Sequence, residues 1–323
     1  MQTVLGVSHK TSIDCNSGCL FRIYQKSSIP SSLMMQEKQL NYTYAVDPNS
    51  DTAAANVLRF VGNQKKVLEI GAGPGSILHV LKDLNHCDIT ALEVFPDYVE
   101  KLKEFCPSVI SADLNDPHWN KKFSEEQKFD VVVAADVLEH LYDPLSCLKN
   151  MTTLLNDNGS IVISLPHVGH AVIAGCLRDG DFQYGEWGLL DRTHIRFFGI
   201  KNIQQLVEDA NLKIVDVRFV VRSPEQTEFA ERWSRLPEAF KKEILLNPFS
   251  YVYQVVLLAV PKSFEAEPIQ LSTVPVAFQG ISLSVLNKTY GSTGYFRKTI
   301  LGLLSQEQKS KLKSYLRKRG FNV

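Results

Sequence analysis

The sequence predicts an α/β protein whose core is a mostly parallel sheet with helices on both faces. Two observations predict it. Short β-branched apolar runs alternate with amphipathic stretches from residue 52 to residue 166, which is the rhythm of parallel strands joined by crossover helices. The run Lys66–Ile70 then enters a glycine-rich turn, Gly71-Ala72-Gly73-Pro74-Gly75, just before a helical stretch. Glycines are needed where the backbone bends sharply or where a ligand must touch it with no Cβ in the way.

The elements follow in order. Residues 1–30 are polar, show no sustained period and are expected to be partly disordered. Residues 31–45 have the apolar content of a short helix or arm. Asp47-Pro48-Asn49-Ser50-Asp51 is turn and capping chemistry, and a helix follows until Gly62. Strands are predicted at 66–70, 88–94, 108–113, 129–136 and 160–166, with helices at 76–85, 96–106 and 144–155 between them. Asp157-Asn158-Gly159 reads as the turn into the fifth strand. Beyond Pro166 the rhythm breaks. Residues 167–199 mix Gly, Trp, Tyr, His and Asp without a period and read as a cap over a site. A helix at 202–212, a strand at 213–222, a charged helical region at 223–249 and a last strand at 251–261 complete the series. The organisation is therefore an N-terminal arm (1–49), one large domain (50–262) and a C-terminal appendix (263–323).

Composition bounds the function. The 323 residues are 44% apolar and 22% charged, with 35 basic and 35 acidic side chains. Zero net charge argues against a nucleic-acid partner, which ordinarily demands a basic excess. No run reaches the roughly 20 apolar residues of a membrane span, and neither a secretory signal nor a myristoylation glycine opens the chain. Only Cys15 and Cys19 lie close together among six cysteines, so reduced thiols in a cytoplasmic protein are expected.

The glycine turn narrows the ligand. Its pattern is G-x-G-x-G followed by Ser76, whereas a nicotinamide fingerprint has Gly or Ala at position 76. Glu93 ends the next strand, where an acid accepts hydrogen bonds from ribose hydroxyls whichever nucleoside is bound. Ser111-Ala112-Asp113-Leu114 and Phe129 through His140 complete four elements whose order and spacing resemble class I S-adenosylmethionine-dependent methyltransferases. The resemblance covers about residues 50–262 and implies a Rossmann-like, seven-stranded sheet ending in an antiparallel hairpin. It implies S-adenosylmethionine as cofactor, with Glu69, Gly71, Ala72 and Gly73 at the methionine part. Glu93 and Val94 would hold the ribose, Asp113 and Leu114 the adenine. Asp136 would lie near the methionine amino group or the transferring methyl.

A finer resemblance lies in residues 164–170 and 180–199. They are similar to bacterial small-molecule methyltransferases of sugar and polysaccharide biosynthesis, which show Pro-Asn-Val-Ala-His after the fifth strand. Here His167 stands for the Asn and Gly169 for the Ala, so that Asn's role does not transfer. The expected reaction is methyl transfer to a hydroxyl of a sugar, a nucleotide-linked sugar or another small molecule. An N- or C-methyltransferase, a non-catalytic cofactor-binding module and a nicotinamide oxidoreductase are the alternatives.

A hydroxyl acceptor benefits from a general base. His194 in the cap is the first candidate, His167 the second and Asp136 the third, with Trp187, Phe197 and Phe198 shaping an acceptor pocket. Asp191 or Arg192 would orient the segment, unless they form a surface ion pair. Some methyltransferases carry Glu-x-x-Glu-His at the fourth-strand exit and bind a divalent ion there. Here the first residue is Asp136, Glu139 and His140 project differently, and a further ligand must come from the cap. No metal is expected, and Glu139 is read as a turn or capping residue. The basic amphipathic stretch 299–320 is expected to dock on its own domain or on a partner chain rather than on a membrane.

Overall fold

A computed structural model describes residues 43–276. The predicted arm up to residue 42, the Cys15–Cys19 pair and the tail helix at 299–320 lie outside the described residues. Seven strands form one sheet: β1 (Lys66–Ile70), β2 (Asp88–Glu93), β3 (Ser108–Ser111), β4 (Phe129–Ala135), β5 (Leu155–Pro166), β6 (Leu212–Val221) and β7 (Val252–Pro261). Their order is β3-β2-β1-β4-β5-β7-β6. The first five pair in parallel, and β7 runs antiparallel to both β5 and β6. This is the Rossmann-like sheet the sequence predicts.

Alternation along the strands sends side chains to two cores. Leu68, Ile70, Val132, Ile161 and Ile163 face one side, and Val67, Val131, Val133 and Val162 the other. The second face is covered by α1 (Ala53–Val61), α2 (Ser76–Asp83) and α3 (Pro96–Lys103), through Val57, Leu58, Leu78, Leu81 and Leu102. The first is covered by α4 (Pro144–Thr153), α5 (Ala171–Asp179) and α6 (Ile200–Asp209), through Leu148, Met151, Val172, Ile173 and Ile203. The strands are buried on both faces, which is why they read as near-continuous apolar runs.

Local chemistry sets the ends. The Thr52 hydroxyl accepts from the Ala55 N–H at 3.3 Å and caps α1, which stops at Gly62 with φ +75°. Asp143 caps α4, accepting from the Ser146 N–H at 2.9 Å, and Pro144 supplies its first turn.

Three differences from the sequence reading have physical causes. First, β5 starts at Leu155, because Leu155 pairs with Phe129 before a bulge resumes pairing at Val131 and Ser160. The predicted turn 157–159 is thus a bulge within the strand. Second, the cap is not wholly irregular, since residues 171–179 form α5. Its Val, Ile and Gly are weak helix formers, and His170 is an unusual N-cap, its Nδ1 accepting from the Val172 N–H at 3.4 Å. Third, packing continues past residue 262. The Ile269 N–H donates to Ile214 O at 2.8 Å and the Leu271 N–H to Gln204 Oε1 at 3.0 Å.

The charged region 223–249 contains α7 (Ala230–Ser234) and α8 (Glu238–Ile244). Both lie over α5, with Leu236 so close to Gly175 that a Cβ there would sit 2.8 Å from it. Among the described residues no helix is long and apolar enough to cross a membrane.

Leu271 is fully buried in the larger core. Leu271→Ala should therefore cost about 2–5 kcal/mol of stability. Chemical denaturation measures it, and a loss near zero would place residues 263–276 outside the folding unit.

Candidate functional site

The site lies at the carboxyl ends of β1, β2 and β4. The neighbours β2-β1-β4 mark the point where strand order reverses, which is where open α/β sheets bind ligands.

Three glycines of the turn after β1 are there for different reasons. All have positive φ: +62° at Gly71, +53° at Gly73 and +85° at Gly75. A Cβ on Gly71 would meet Val137 at 2.8 Å, and one on Gly75 would meet Phe105 at 2.5 Å and Leu102 at 2.8 Å. Those two glycines let the protein pack against itself. At Gly73 a Cβ meets nothing within 4 Å, so the turn opens there onto free space. Ala72 anchors it to the sheet, its N–H donating to Leu92 O at 3.1 Å.

Glu93 is buried and braces the turn. Its Oε2 accepts from the Gly73 N–H at 2.7 Å, and its Oε1 from the N–H groups of Val94 (2.7 Å) and Phe95 (2.9 Å). Of about four lone-pair sites on a carboxylate, one on Oε2 remains. Val94 is exposed beside it. Asp113 is exposed, with its Oδ1 accepting from the Asn115 N–H at 2.8 Å, and Leu114 is half-buried. Glu69 is buried, and its Oε2 has no hydrogen-bond partner. Burial, and then the nearby Glu93, push its carboxyl up to about 8.

Asp136 leaves β4 with φ +53°, an uncommon conformation for a residue with a side chain. The Ser164 hydroxyl donates to its Oδ1 at 2.7 Å and the Gln254 amide to its Oδ2 at 2.8 Å. Its surface is exposed, yet crowding by protein raises its carboxyl despite those two donors. Ser164 and Gln254 escaped the sequence reading, although a Gln within the apolar strand 251–261 was a visible signal. So did Tyr44, whose N–H donates to Ser76 Oγ at 3.3 Å. Half its surface is exposed, yet crowding by protein, and next the charges of Asp136 and Glu69, raise its phenol.

The cap brings His194 to Glu139 and His140. The Ile195 and Arg196 N–H groups both donate to Glu139 O at 3.0 Å. His194 Nε2 lies 3.9 Å from Glu139 Oε1, and the His140 and His194 ring centroids are 4.8 Å apart. Glu139 is fully buried with neither carboxylate oxygen hydrogen-bonded. Desolvation, reinforced by Asp136, raises it strongly. Desolvation and His140 push His194 down to about 4. Glu139 sits in the 3-10 turn Leu138–His140, as the sequence reading has it, with its carboxyl turned into the interior.

The other histidines take structural places. His167 Nδ1 donates to Val252 O at 3.1 Å, and burial pushes the ring down to about 4. A Cβ on Gly169 would lie 2.5 Å from the same ring. The two departures from Pro-Asn-Val-Ala-His are therefore coupled, because the ring fills the room an alanine methyl would need. His170 uses both nitrogens, accepting from Val172 and donating to Arg222 O at 3.0 Å.

Asp191 orients the cap. It is buried, and its Oδ1 accepts from the Thr193 N–H at 2.8 Å and the Thr193 hydroxyl at 2.6 Å. Arg192 forms an exposed ion pair with Glu186. Of the aromatics expected to line a pocket, Trp187 and Phe197 are exposed and Phe198 is in the core.

Residues 34–217 match the family described as a methyltransferase domain. The chain belongs to that family, and its domain is an S-adenosylmethionine-dependent methyltransferase domain of the Rossmann-like class. Among curated proteins it is 28% identical over 175 residues to the hybrid PKS-NRPS synthetase iccA of Talaromyces variabilis, covering 48% of this chain and 4% of that protein. It is 26% identical over 165 residues to the mitochondrial ubiquinone biosynthesis O-methyltransferase of Schizosaccharomyces pombe, covering 50% and 59%. The match thus spans only part of either relative. A solved S-adenosylmethionine-dependent methyltransferase from Archaeoglobus fulgidus is similar with a TM-score of 0.46 at 16% identity, over 64% of this chain and 91% of that one.

Glu69 generates a pH prediction. Its folded-state value near 8 stands above the ordinary 4.5, so between those values the folded chain holds a proton that the unfolded chain has lost. The contribution of Glu69 to the stability of the ligand-free protein should fall as pH rises across that window, by at most about 1.4 kcal/mol per unit. Urea denaturation of the wild type and of Glu69→Gln at pH 6, 7 and 8 should show a stability difference that moves against the wild type as pH rises.

Proposed function

We propose that the protein transfers the methyl group of S-adenosylmethionine to a hydroxyl of a small molecule, with a sugar or nucleotide-linked sugar as the acceptor class. The observation that carries the cofactor half is the pairing of open space over Gly73 with a buried Glu69 carboxyl whose Oε2 has no partner. A buried carboxylate without a partner is costly, and the ammonium of a methionine group answers it.

The remaining cofactor roles follow the strand ends. Gly71, Ala72 and Gly73 would flank the methionine part. Glu93 would take a ribose hydroxyl on its one free lone pair, with Val94 against the ring. Asp113 and Leu114 would hold the adenine. Asp136, fixed by Ser164 and Gln254, would face the methionine amino group or the transferring methyl. The bound cofactor supplies a methyl already activated by a sulfonium. The chain's task is then alignment of the acceptor and acceptance of its proton.

Oxygen as the accepting atom is supported by the name of the ubiquinone relative and by the cap cluster. His194 is the residue assigned to the acceptor's proton. Its Nδ1 faces Leu189 O at 3.4 Å, which leaves the Nε2 lone pair toward Glu139. His167 is set lower, because Gly169 closes over its ring.

Three outcomes are expected. Binding of S-adenosylmethionine near pH 7 should release up to one proton, as the ammonium converts Glu69 to its ionised form. Calorimetry in buffers of different ionisation enthalpy reads this release, and Glu69→Gln should abolish it. Gly73→Ala should fold and bind the cofactor more weakly; unchanged affinity would overturn the cradle. His194→Ala should lower kcat by about 10²–10⁴-fold with cofactor affinity unchanged. The acceptor is first found by screening nucleotide sugars and other hydroxylated metabolites for S-adenosylhomocysteine formation. A product methylated on nitrogen or carbon would refute the hydroxyl assignment.

A further inference from the structure

We propose that Glu228 is a positioning residue for His194, acting through the backbone of Leu189. A chain of contacts links them. The Tyr253 hydroxyl donates to Glu228 Oε2 at 2.9 Å, and Glu228 Oε1 accepts from the Leu189 N–H at 2.7 Å. The Leu189 carbonyl in turn faces His194 Nδ1 at 3.4 Å. The inference rests on the reading of His194 as proton acceptor only for its effect on turnover.

The first argument is where the Glu228 carboxylate turns. Glu228 stands just before α7, where an acid could cap the helix. The start of α7 has no side-chain cap, and the Ala230 N–H donates to Thr227 O at 3.2 Å instead. Both carboxylate oxygens reach other elements, one β7 and the other the cap. α7 is itself tied to the start of the cap. Arg232 donates to Asp181 O at 2.9 Å and pairs with the Asp181 carboxylate at 2.5 Å.

The second argument is the space made for that carboxylate. A Cβ on Gly188 would overlap it and lie 3.3 Å from Tyr253 Oη. The cap can therefore bring the Leu189 N–H onto Glu228 only with no side chain at position 188. Tyr253 completes the clamp. Burial, and then the charge of Glu228, raise its phenol, so the hydroxyl keeps its proton and donates. The next residue, Gln254, donates to Asp136. Adjacent residues of β7 thus fix Asp136 and the cap together.

The third argument is the narrow margin of the last contact. A hydrogen bond of 3.4 Å is close to its limit, and a few tenths of an ångström more would end it. That bond sets the tautomer of His194. A carbonyl only accepts, so Nδ1 carries the proton and Nε2 keeps its lone pair. Neutral histidine in water favours the opposite form, with the proton on Nε2. Should Leu189 drift, His194 would relax toward the form whose Nε2 cannot accept a proton. Leu189 and His194 share one short loop, in which the Asp191 N–H donates to Gly188 O at 3.2 Å and the His194 N–H to Asp191 O at 3.0 Å. Glu228 holds that loop from outside.

The test uses the full chain with its histidines labelled with ¹⁵N. Long-range ¹H–¹⁵N spectra near pH 7 report which nitrogen of each neutral imidazole carries the proton, and His194→Ala identifies the His194 signals. The wild type should show His194 protonated on Nδ1. Glu228→Ala should shift it toward the Nε2–H form. Glu228→Gln should keep the wild-type form, because its amide oxygen can still accept from Leu189 while its NH₂ donates to Tyr253 Oη. A merely structural role would leave the tautomer the same in all of them. With an acceptor from the screen above, Glu228→Ala should lower kcat by about 10²-fold, as a small misplacement far from the chemistry can. Affinity for S-adenosylhomocysteine should stay unchanged, and Glu228→Gln should restore most of the rate. Should Glu228→Ala fail to fold, Tyr253→Phe takes its place and should move the His194 signals in the same direction. The proposal is overturned if the folded variant keeps the wild-type tautomer. It is overturned equally if Glu228→Gln moves the signals as far as Glu228→Ala, which would make charge rather than placement the agent. A shifted tautomer with unchanged turnover upholds the positioning and sinks only His194 as the acceptor's base.

Discussion

Four carboxyl groups stand at the carboxyl ends of three adjacent parallel strands, and the architecture of the site follows from what each is given as a partner. Glu69 belongs to β1, Glu93 ends β2, and Asp136 and Glu139 follow β4. Buried carboxylates are tolerable only when hydrogen-bonded, paired or protonated. Glu93 receives three backbone N–H groups and so holds the glycine turn in shape. Asp136 receives a hydroxyl and an amide from β5 and β7. Those bonds tie the antiparallel strand to the same edge. Glu69 Oε2 and both oxygens of Glu139 receive nothing. The satisfied pair shapes the site, and the unsatisfied pair defines what it lacks.

Much of this was legible in the sequence because parallel strands buried on both faces leave a strong signal. The runs 66–70, 88–94 and 129–136 end where carboxylates or their neighbours must face a ligand, and the glycine turn fixes the position of the first. The sequence did not separate the duties of Gly71, Gly73 and Gly75. Only packing distances show that two of them accommodate Val137, Phe105 and Leu102 while Gly73 borders open space. The partners of Asp136 were illegible for a different reason. Ser164 and Gln254 lie 28 and 118 positions away, and a polar residue in an apolar strand announces that it has a partner without naming it. The helix α5 was missed because its β-branched residues and internal glycine suppress local propensity, and tertiary packing supplies the stabilisation instead.

The cap histidines show how far residue type alone misleads. His167, His170 and His194 all fall in the segment expected to border the acceptor. The structure sorts them by what their second nitrogen does. His170 has none to spare, and His167 has its ring backed by Gly169. That backing explains why the Asn and Ala of the related pattern are replaced together. An alanine at 169 and a histidine at 167 would claim the same volume. The pair is therefore one packing unit, and its departure from the pattern alters the wall of the site rather than its chemistry.

His194 differs because its partner Glu139 is incomplete without something else. The two face each other at 3.9 Å, beyond hydrogen-bonding distance, with His140 closing the group from the side. A neutral acid beside a neutral imidazole gains little there, and an ionised one without a countercharge is costly. Under the proposed reading, Glu69 meets the ammonium of the methionine group. The two carboxyls differ in the groups around them. Glu69 has a neighbouring carboxylate and the backbone of the glycine turn, which suit an organic cation. Glu139 has two imidazoles beside it, His140 and His194. One fold edge thus presents two buried carboxyls short of partners, one beside the glycine turn and one beside the cap histidines.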